Sequence, residues 1–370
     1  MSDPSVESTA EKAGDRDALD DFLPMASLET LRLRAKLLAG VRKYFDSRSY
    51  WEVETPILSH DIVVDAYLEP FATWCVGDTA KDGDGSRKES AAELFLQTSP
   101  EFGMKRLLAA GADAIFQITR AMRNGETGRH HNCEFTMVEW YRVGDTHHEQ
   151  MQCVEDLVLE LCDEATAYCR ETTVPLRNQD PENLERPFVR MTYEEAFEKY
   201  AGCRVLSQTP HQLAALARCC QLTPPPSLGE EDRDGWLNLL FAELITPQLG
   251  TLRPVFLYDF PASQAALARI SREDPAVAER FELFVNGVEI CNGYHELTDP
   301  DEFRRRIEEQ SRHRSQAGSR ELPASNRLLA AMDAGLPACA GVALGFDRLV
   351  MCLLGRATLA EVMAFPHDRA

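Results

Sequence analysis

Positive charge is scarce in this chain of 370 residues, where 39 Lys and Arg stand against 60 Asp and Glu for a formal net charge of -21. That balance excludes an overall basic footprint for a polyanion, although a local basic patch stays compatible with it. Long apolar runs are missing too. No stretch approaches the roughly 20 residues that cross a bilayer, and the polar opening lacks the apolar core of a secretory signal, so we expect a cytoplasmic protein without a membrane segment. Eleven cysteines, two of them adjacent at Cys219 and Cys220, form no paired ligand spacing. Zinc sites of the spaced-pair kind are thereby set aside, and reduced thiols are expected. There is no internal repeat.

What the chain does contain is concentrated in a few segments. Residues 116–142 read as two strand-like arms around a polar loop. In the first arm Gln117, Thr119, Ala121 and Arg123 alternate onto one face; in the second, Phe135, Met137, Glu139 and Tyr141 do the same. Between them stand Gly125, Gly128, Arg129, His130 and His131, a composition suited to a loop that meets anions. A charged surface hairpin fits this segment equally well. Residues 341–348, G-V-A-L-G-F-D-R, read as a glycine-punctuated strand opening a helix, with Arg348 a permanent planar cation at its entrance.

Asn286-Gly287 is a two-residue hairpin signal. It makes Val285 oppose Val288 and Phe284 oppose Glu289, and puts Glu282 diagonally beside Glu289 on one face. Carboxylates at such a separation suit a hard cation shared with phosphate oxygens. Solvated surface glutamates would leave the same pattern.

Taken in order, these segments resemble the signature motifs of class II aminoacyl-tRNA synthetases. A first-motif helix carries Leu31, Ala35, Leu38, Val41 and Phe45 at helical spacing before W-E-V-E-T-P, which ends at Pro56. Three blocks resemble the lysine-specific branch: T-S-P-E-F-G-M-K-R-L from Thr98, H-N-C-E-F-T-M-V-E-W-Y from His131, and E-I-C-N-G-Y-H-E-L from Glu289. F-P-A-S-Q-A-A-L-A from Phe260 is closer to a family of shortened paralogues, the elongation factor P lysine ligases. The resemblance implies an α+β fold, an antiparallel sheet flanked by helices, with the first motif as a homodimer interface. Residues 1–26 are expected as a disordered tail, 27–370 as the catalytic domain, and 76–93 as a flexible insertion.

The resemblance also implies an activity: lysine, as (R)-β-lysine, is activated with ATP and Mg2+ and passed to a lysine of elongation factor P, with tRNA disfavoured by the charge. By the same likeness Arg123 and Arg348 are catalytic, and Arg123, Asn124, Gly125, Asn132, Glu289, Ile290, Gly345 and Arg348 meet ATP. Glu282 and Glu289 hold the metal, and Ser99, Pro100, Glu101, Tyr141, Glu296 and Ala343 line the amino-acid pocket. A ligand ammonium needs carboxylate or hydroxyl acceptors to offset its desolvation, which favours Glu101, Tyr141 and Glu296. Strict alternation would put Glu296 on the opposite face from Glu289, so a bend is expected at Asn292-Gly293. The second motif departs from its pattern by having Gly125 where a glutamate is usual, with Glu126 one place later. Two other readings stay open: a free-standing synthetase-like enzyme with another acceptor, and a non-catalytic binding protein.

Overall fold

The computed structural model describes residues 22–81, 87–172, 174, 184–324 and 326–370. Most of the expected tail lies outside them. Met25 and Ala26, however, belong to the folded body, because their N–H groups donate to Ala364 and Met363 carbonyls at 2.8 and 3.0 Å and Ala26 is buried.

Helix α1 (Leu28–Asp46) starts where the Ser27 hydroxyl accepts from the Thr30 N–H, which satisfies one of its free donors. Its buried stripe is Leu33, Leu37, Val41, Tyr44 and Phe45, rotated from the expected one; Ala35 is exposed and Leu31 and Leu38 are half-buried. Aromatic packing sets that rotation. Phe45 stacks on Phe116 at 4.7 Å, and the Tyr44 hydroxyl donates to the Cys153 carbonyl at 2.8 Å.

The strands are β1 (Trp51–Glu52), β2 (Leu58–Ser59), β3 (Ala72–Lys81), β4 (Arg87–Leu96), β5 (Ala114–Met122) and β6 (Glu134–Val143). They continue with β7 (Val189–Thr192), β8 (Val255–Pro261), β9 (Val277–Val285), β10 (Val288–His295) and β11 (Cys339–Gly345). Eight of them form one sheet in the order β1, β5, β6, β11, β10, β9, β8, β7, parallel only at its two edges. The others, β2, β4 and β3, form a small second sheet. The segment expected as an insertion, 76–93, falls within this sheet, where β3 and β4 pair from Lys81↔Arg87 to Ala72↔Phe95. Backbone pairing needs no apolar composition, which is why the polar arms did not read as strands. Residues 82–86 lie outside the described residues.

Further helices are α2 (Glu101–Ala109), α3 (His147–Glu171), α4 (Tyr193–Ala201), α5 (Pro210–Cys219), α6 (Arg233–Leu240), α7 (Pro300–Gln316), α8 (Arg327–Gly335) and α9 (Phe346–Leu353). The helix expected at residues 236–245 is α6, whose continuation Phe241–Ile245 is π-helical. One face of the large sheet is closed by α1 and α3 over a core that includes Phe45, Phe116, Trp140, Phe281 and Leu344. A second core, with Phe102, Tyr141, Phe303 and Leu328, joins α2, α7 and α8 to the opposite face. The fold is α+β, a mostly antiparallel sheet flanked by helices, as expected. Two faces, differently covered, give the sheet a closed back and an accessible front.

Candidate active site

The front of the sheet carries a cleft of about 290 Å³ lined by Arg123, Glu126, His130, His131, Asn132, Phe135, Met137, Glu289, Ile290, Ala343, Gly345, Asp347, Arg348 and Leu359. Its walls are the two segments singled out by sequence. β5 and β6 pair antiparallel from Ala114↔Arg142 to Met122↔Glu134, and Arg123 follows directly, its guanidinium 5.1 Å from the centre of the Phe135 ring. Opposite, Gly345 caps α9 at the end of β11 and hands the chain to Arg348. Arg348 is oriented by donations to the His130 and Glu289 carbonyls, each at 3.1 Å, and lies 2.8 Å from His131 Nε2. Burial and the neighbouring Arg348 hold His131 below its ordinary pKa. Two permanent cations and neutral histidines around a cleft suit a polyphosphate.

Not every expected ATP contact lines this cleft. Asn124 and Gly125 stand outside its lining, exposed. Gly125 has a φ of +82°, a conformation that L side chains rarely adopt. The carboxylate comes instead from Glu126, which faces the cleft 3.7 Å from Arg123. Asn132 does line it, but its side chain donates to the Glu134 carbonyl at 2.6 Å and accepts from the His367 N–H at 2.9 Å, so it also ties the chain terminus to the cleft.

The hairpin that carries Glu282 and Glu289 follows the register read from Asn286-Gly287, both of which have positive φ. Past the first two pairs the register shifts by one residue between Glu289 and Cys291, so that Glu282 faces Asn292. This bulge corrects the expected bend at Asn292-Gly293. The extra residue, Ile290, brings Glu289 into the cleft while Asn292, Tyr294 and Glu296 continue on the front face. Glu282 is buried and pairs with Arg280 at 2.5 Å, a cation that sequence reading missed. Burial raises the Glu282 carboxyl to about 7; Arg280 opposes that rise and Glu289 adds to it.

Beside the cleft lies a pocket with an unusual density of buried charge. Ser99 donates to Glu139 at 2.8 Å, and Tyr141 donates to the other oxygen of Glu139 at 2.6 Å. Pro100 occupies the N-cap of α2, so Glu101 begins the helix and its N–H donates to the Ser99 hydroxyl. One turn later the buried Lys105 reaches back to Glu101 and across to Glu296, each at 2.5 Å. Burial raises Glu139 to about 7, with Glu101 adding to it. Burial raises Glu296 as well, against the pull of Lys105. For Lys105, burial works to lower its pKa, but two flanking carboxylates outweigh it and keep the ammonium charged.

Ala343 joins pocket and cleft, paired on one side with Glu139 and on the other with Asn292. Two strand positions away, a Cβ on Gly341 would lie 2.3 Å from the Tyr141 ring and 2.9 Å from Glu296. Only glycine leaves that ring in place. Glu139, Lys105, Arg280 and Phe135 were absent from the expected site residues. Alternation had put Phe135 and Glu139 on the face of Tyr141, a usable signal; nothing in the sequence singled out Lys105 or Arg280.

The three motif segments meet at Asp347. Its carboxylate is buried, accepts from the Thr136 N–H at 2.6 Å and forms an ion pair with Arg34 of α1. Arg34 also donates to the Thr136 hydroxyl at 2.7 Å.

Comparison with known proteins agrees with this geometry. A family model described as tRNA synthetases class II (D, K and N) matches residues 19–369. A protein of Vibrio cholerae serotype O1 named elongation factor P--(R)-beta-lysine ligase is 44% identical over 353 residues, covering 95% of this chain and 99% of its own length. Proteins of the same name from Vibrio vulnificus and Salmonella dublin are 44% and 43% identical, over 350 and 347 residues. They span 99% and 98% of their own lengths and 95% and 94% of this chain.

Proposed function

Since the chain belongs to the class II tRNA synthetases of the D, K and N group, we propose that it activates lysine, as (R)-β-lysine, with ATP and transfers it to a lysine ε-amine of elongation factor P in the cytoplasm. The observation that carries this reading is the charge count of the buried pocket. Glu101, Glu139 and Glu296 face a single internal ammonium, Lys105, leaving capacity for two further cationic groups. A diamino acid brings two.

In the first step the amino-acid carboxylate attacks the α-phosphorus of ATP, and pyrophosphate leaves. Arg123 and Arg348 flank the cleft where negative charge shifts toward the leaving group, and fixed cations stabilise it there without reorganising. Glu282 and Glu289 supply hard carboxylate oxygens, the donor set that Mg2+ prefers, and a bound Mg2+ would neutralise phosphate charge. In the second step the acceptor amine attacks the adenylate carbonyl; AMP leaves and an amide forms.

Ala343 supports the β-isomer. Its methyl stands between Glu139 and Asn292, where it takes space beside the group that holds an amino substituent. One methyl is only about 0.8 kcal/mol of buried area, so selectivity must rest on where the second amine can sit. A homodimer is supported by exposed apolar residues on and just after the first motif, Leu28, Trp51, Ile57 and Leu58. The test is lysine-dependent exchange of pyrophosphate into ATP with each isomer, followed by intact-mass measurement of elongation factor P and tRNA. Exchange favouring the β-isomer with a mass gain on elongation factor P is expected. Acylated tRNA, or no exchange, would overturn the assignment.

A further inference from the structure

Under the amino-acid pocket, on the closed back of the sheet, lies a cluster that the reaction above does not use. Tyr294 pairs with Arg280, so His295 falls opposite Glu279, and alternation turns both toward α3, away from Glu282 and Tyr294. His147, the first residue of α3, meets them from the helix side. One donor atom from each of the three lies within 4.8 Å of the others, and all three residues are buried. His295 Nδ1 is 2.7 Å and His147 Nδ1 3.7 Å from the same oxygen of Glu279.

Their hydrogen bonding is incomplete. Neither ring nitrogen of His147 has a hydrogen-bond partner, whereas His295 Nδ1 meets Glu279. A buried polar atom left unpaired costs about 1–3 kcal/mol, so two on one buried imidazole beside a carboxylate call for a ligand. Two neutral imidazoles and a carboxylate form the donor set of a zinc-like divalent ion. Ligand atoms around tetrahedral zinc stand roughly 3.3 Å apart, a value between the two observed contacts. Arg269 provides the outer support, donating to Glu279 through Nε at 2.7 Å and Nη2 at 3.0 Å. Burial pushes Glu279 upward, but Arg269 outweighs it and keeps the carboxyl below its ordinary value.

We propose that His147, Glu279 and His295 bind a zinc-class divalent cation that fixes β9, β10 and the start of α3 to one another beneath the amino-acid pocket. Its functional effect is positional, because His295 lies between Tyr294 and Glu296 and holding it sets the strand that presents Glu296. No sequence spacing could have announced the site, since its ligands come from three separate segments.

The test starts from full-length enzyme stripped with a chelator, reloaded with Zn2+ or Co2+ and dialysed. We expect about one equivalent retained by elemental mass spectrometry, and for Co2+ the intense visible bands of tetrahedral coordination. Glu279→Gln and His147→Ala should lose the ion, while Glu282→Gln on the other face should keep it. Stripped enzyme should melt at lower temperature and show a several-fold higher KM for the amino acid with the KM for ATP unchanged. Wild-type enzyme that fails to retain the ion after reloading overturns the proposal, whether or not the variants fold. So does retention by Glu279→Gln or His147→Ala equal to that of wild type. Metal content is independent of the reaction assigned, so failure here would leave the proposed function standing.

Discussion

Glu139 joins the chemistry of the amino-acid pocket to pH. Its carboxyl is raised to about 7 from an ordinary 4.5, so the folded protein keeps a proton that the unfolded chain has released. Stability from this group therefore falls as pH rises from about 4.5 to about 7, by on the order of 3 kcal/mol, and stays low above that. A cationic ligand reverses the preference and favours the ionised form. Lysine binding near pH 7 should accordingly release protons, seen as a buffer-dependent enthalpy in calorimetry, and the amino-acid KM should fall as pH rises through the same window. Glu139→Gln should weaken binding and flatten that pH profile; an unchanged profile would remove Glu139 from the role. At Gly341 the prediction is steric. Gly341→Ala drives a methyl into the Tyr141 ring, and overpacking of this kind costs about 1–3 kcal/mol, or roughly tenfold to a hundredfold in lysine activation, with ATP binding retained. Sequence reading reached Tyr141, Glu101 and Glu296 through the chemistry that an ammonium requires. It missed Lys105 because a lysine four residues after a glutamate on a helix is ordinarily a solvated pair, and only tertiary burial makes it a counter-ion.

At the scale of the element, the hairpin β9–β10 gives the clearest lesson in what local chemistry can specify. Asn286-Gly287 fixed the turn and the first two pairs, since both residues must adopt positive φ. The bulge at Ile290 was illegible, because nothing in E-I-C-N requires an unpaired residue. The rotation of α1 was lost for a similar reason, as periodicity gives a helix but packing partners choose its face. Arg34 offers a test of how α1 is coupled to the site. Removing one member of a buried ion pair leaves the other uncompensated, so Arg34→Leu should cost about 3–5 kcal/mol in denaturant unfolding. Adding Asp347→Leu should recover part of the loss, and additive effects in that double-mutant cycle would show that the pair is not coupled.

For the whole molecule, the large sheet and its flanking helices were readable because the motifs that carry the resemblance are also its central strands. The helical region α4 to α6 was read only in part, being packed on the far edge by an apolar core of its own without site chemistry to mark it. The exposed apolar residues Leu28, Trp51, Ile57 and Leu58, taken as a strip that meets a partner, belong to this scale. Trp51→Glu with Leu58→Glu should convert a dimer to a monomer in light scattering, with little change in melting temperature if the strip faces only a partner. A wild-type monomer would withdraw the interface. The net charge of -21 carries a related expectation: binding of nucleic acid stays weak at physiological salt, and a filter-binding titration with tRNA checks it.

The junction of Arg34, Thr136 and Asp347 also orders events in time. Its members are separated by 102 and 211 residues along the chain. A nascent chain emerging from the ribosome thus exposes Arg34 of α1 long before the matching Asp347 has been synthesised. The site closes only once Asp347 has emerged, so chains arrested before that residue would hold neither nucleotide nor lysine.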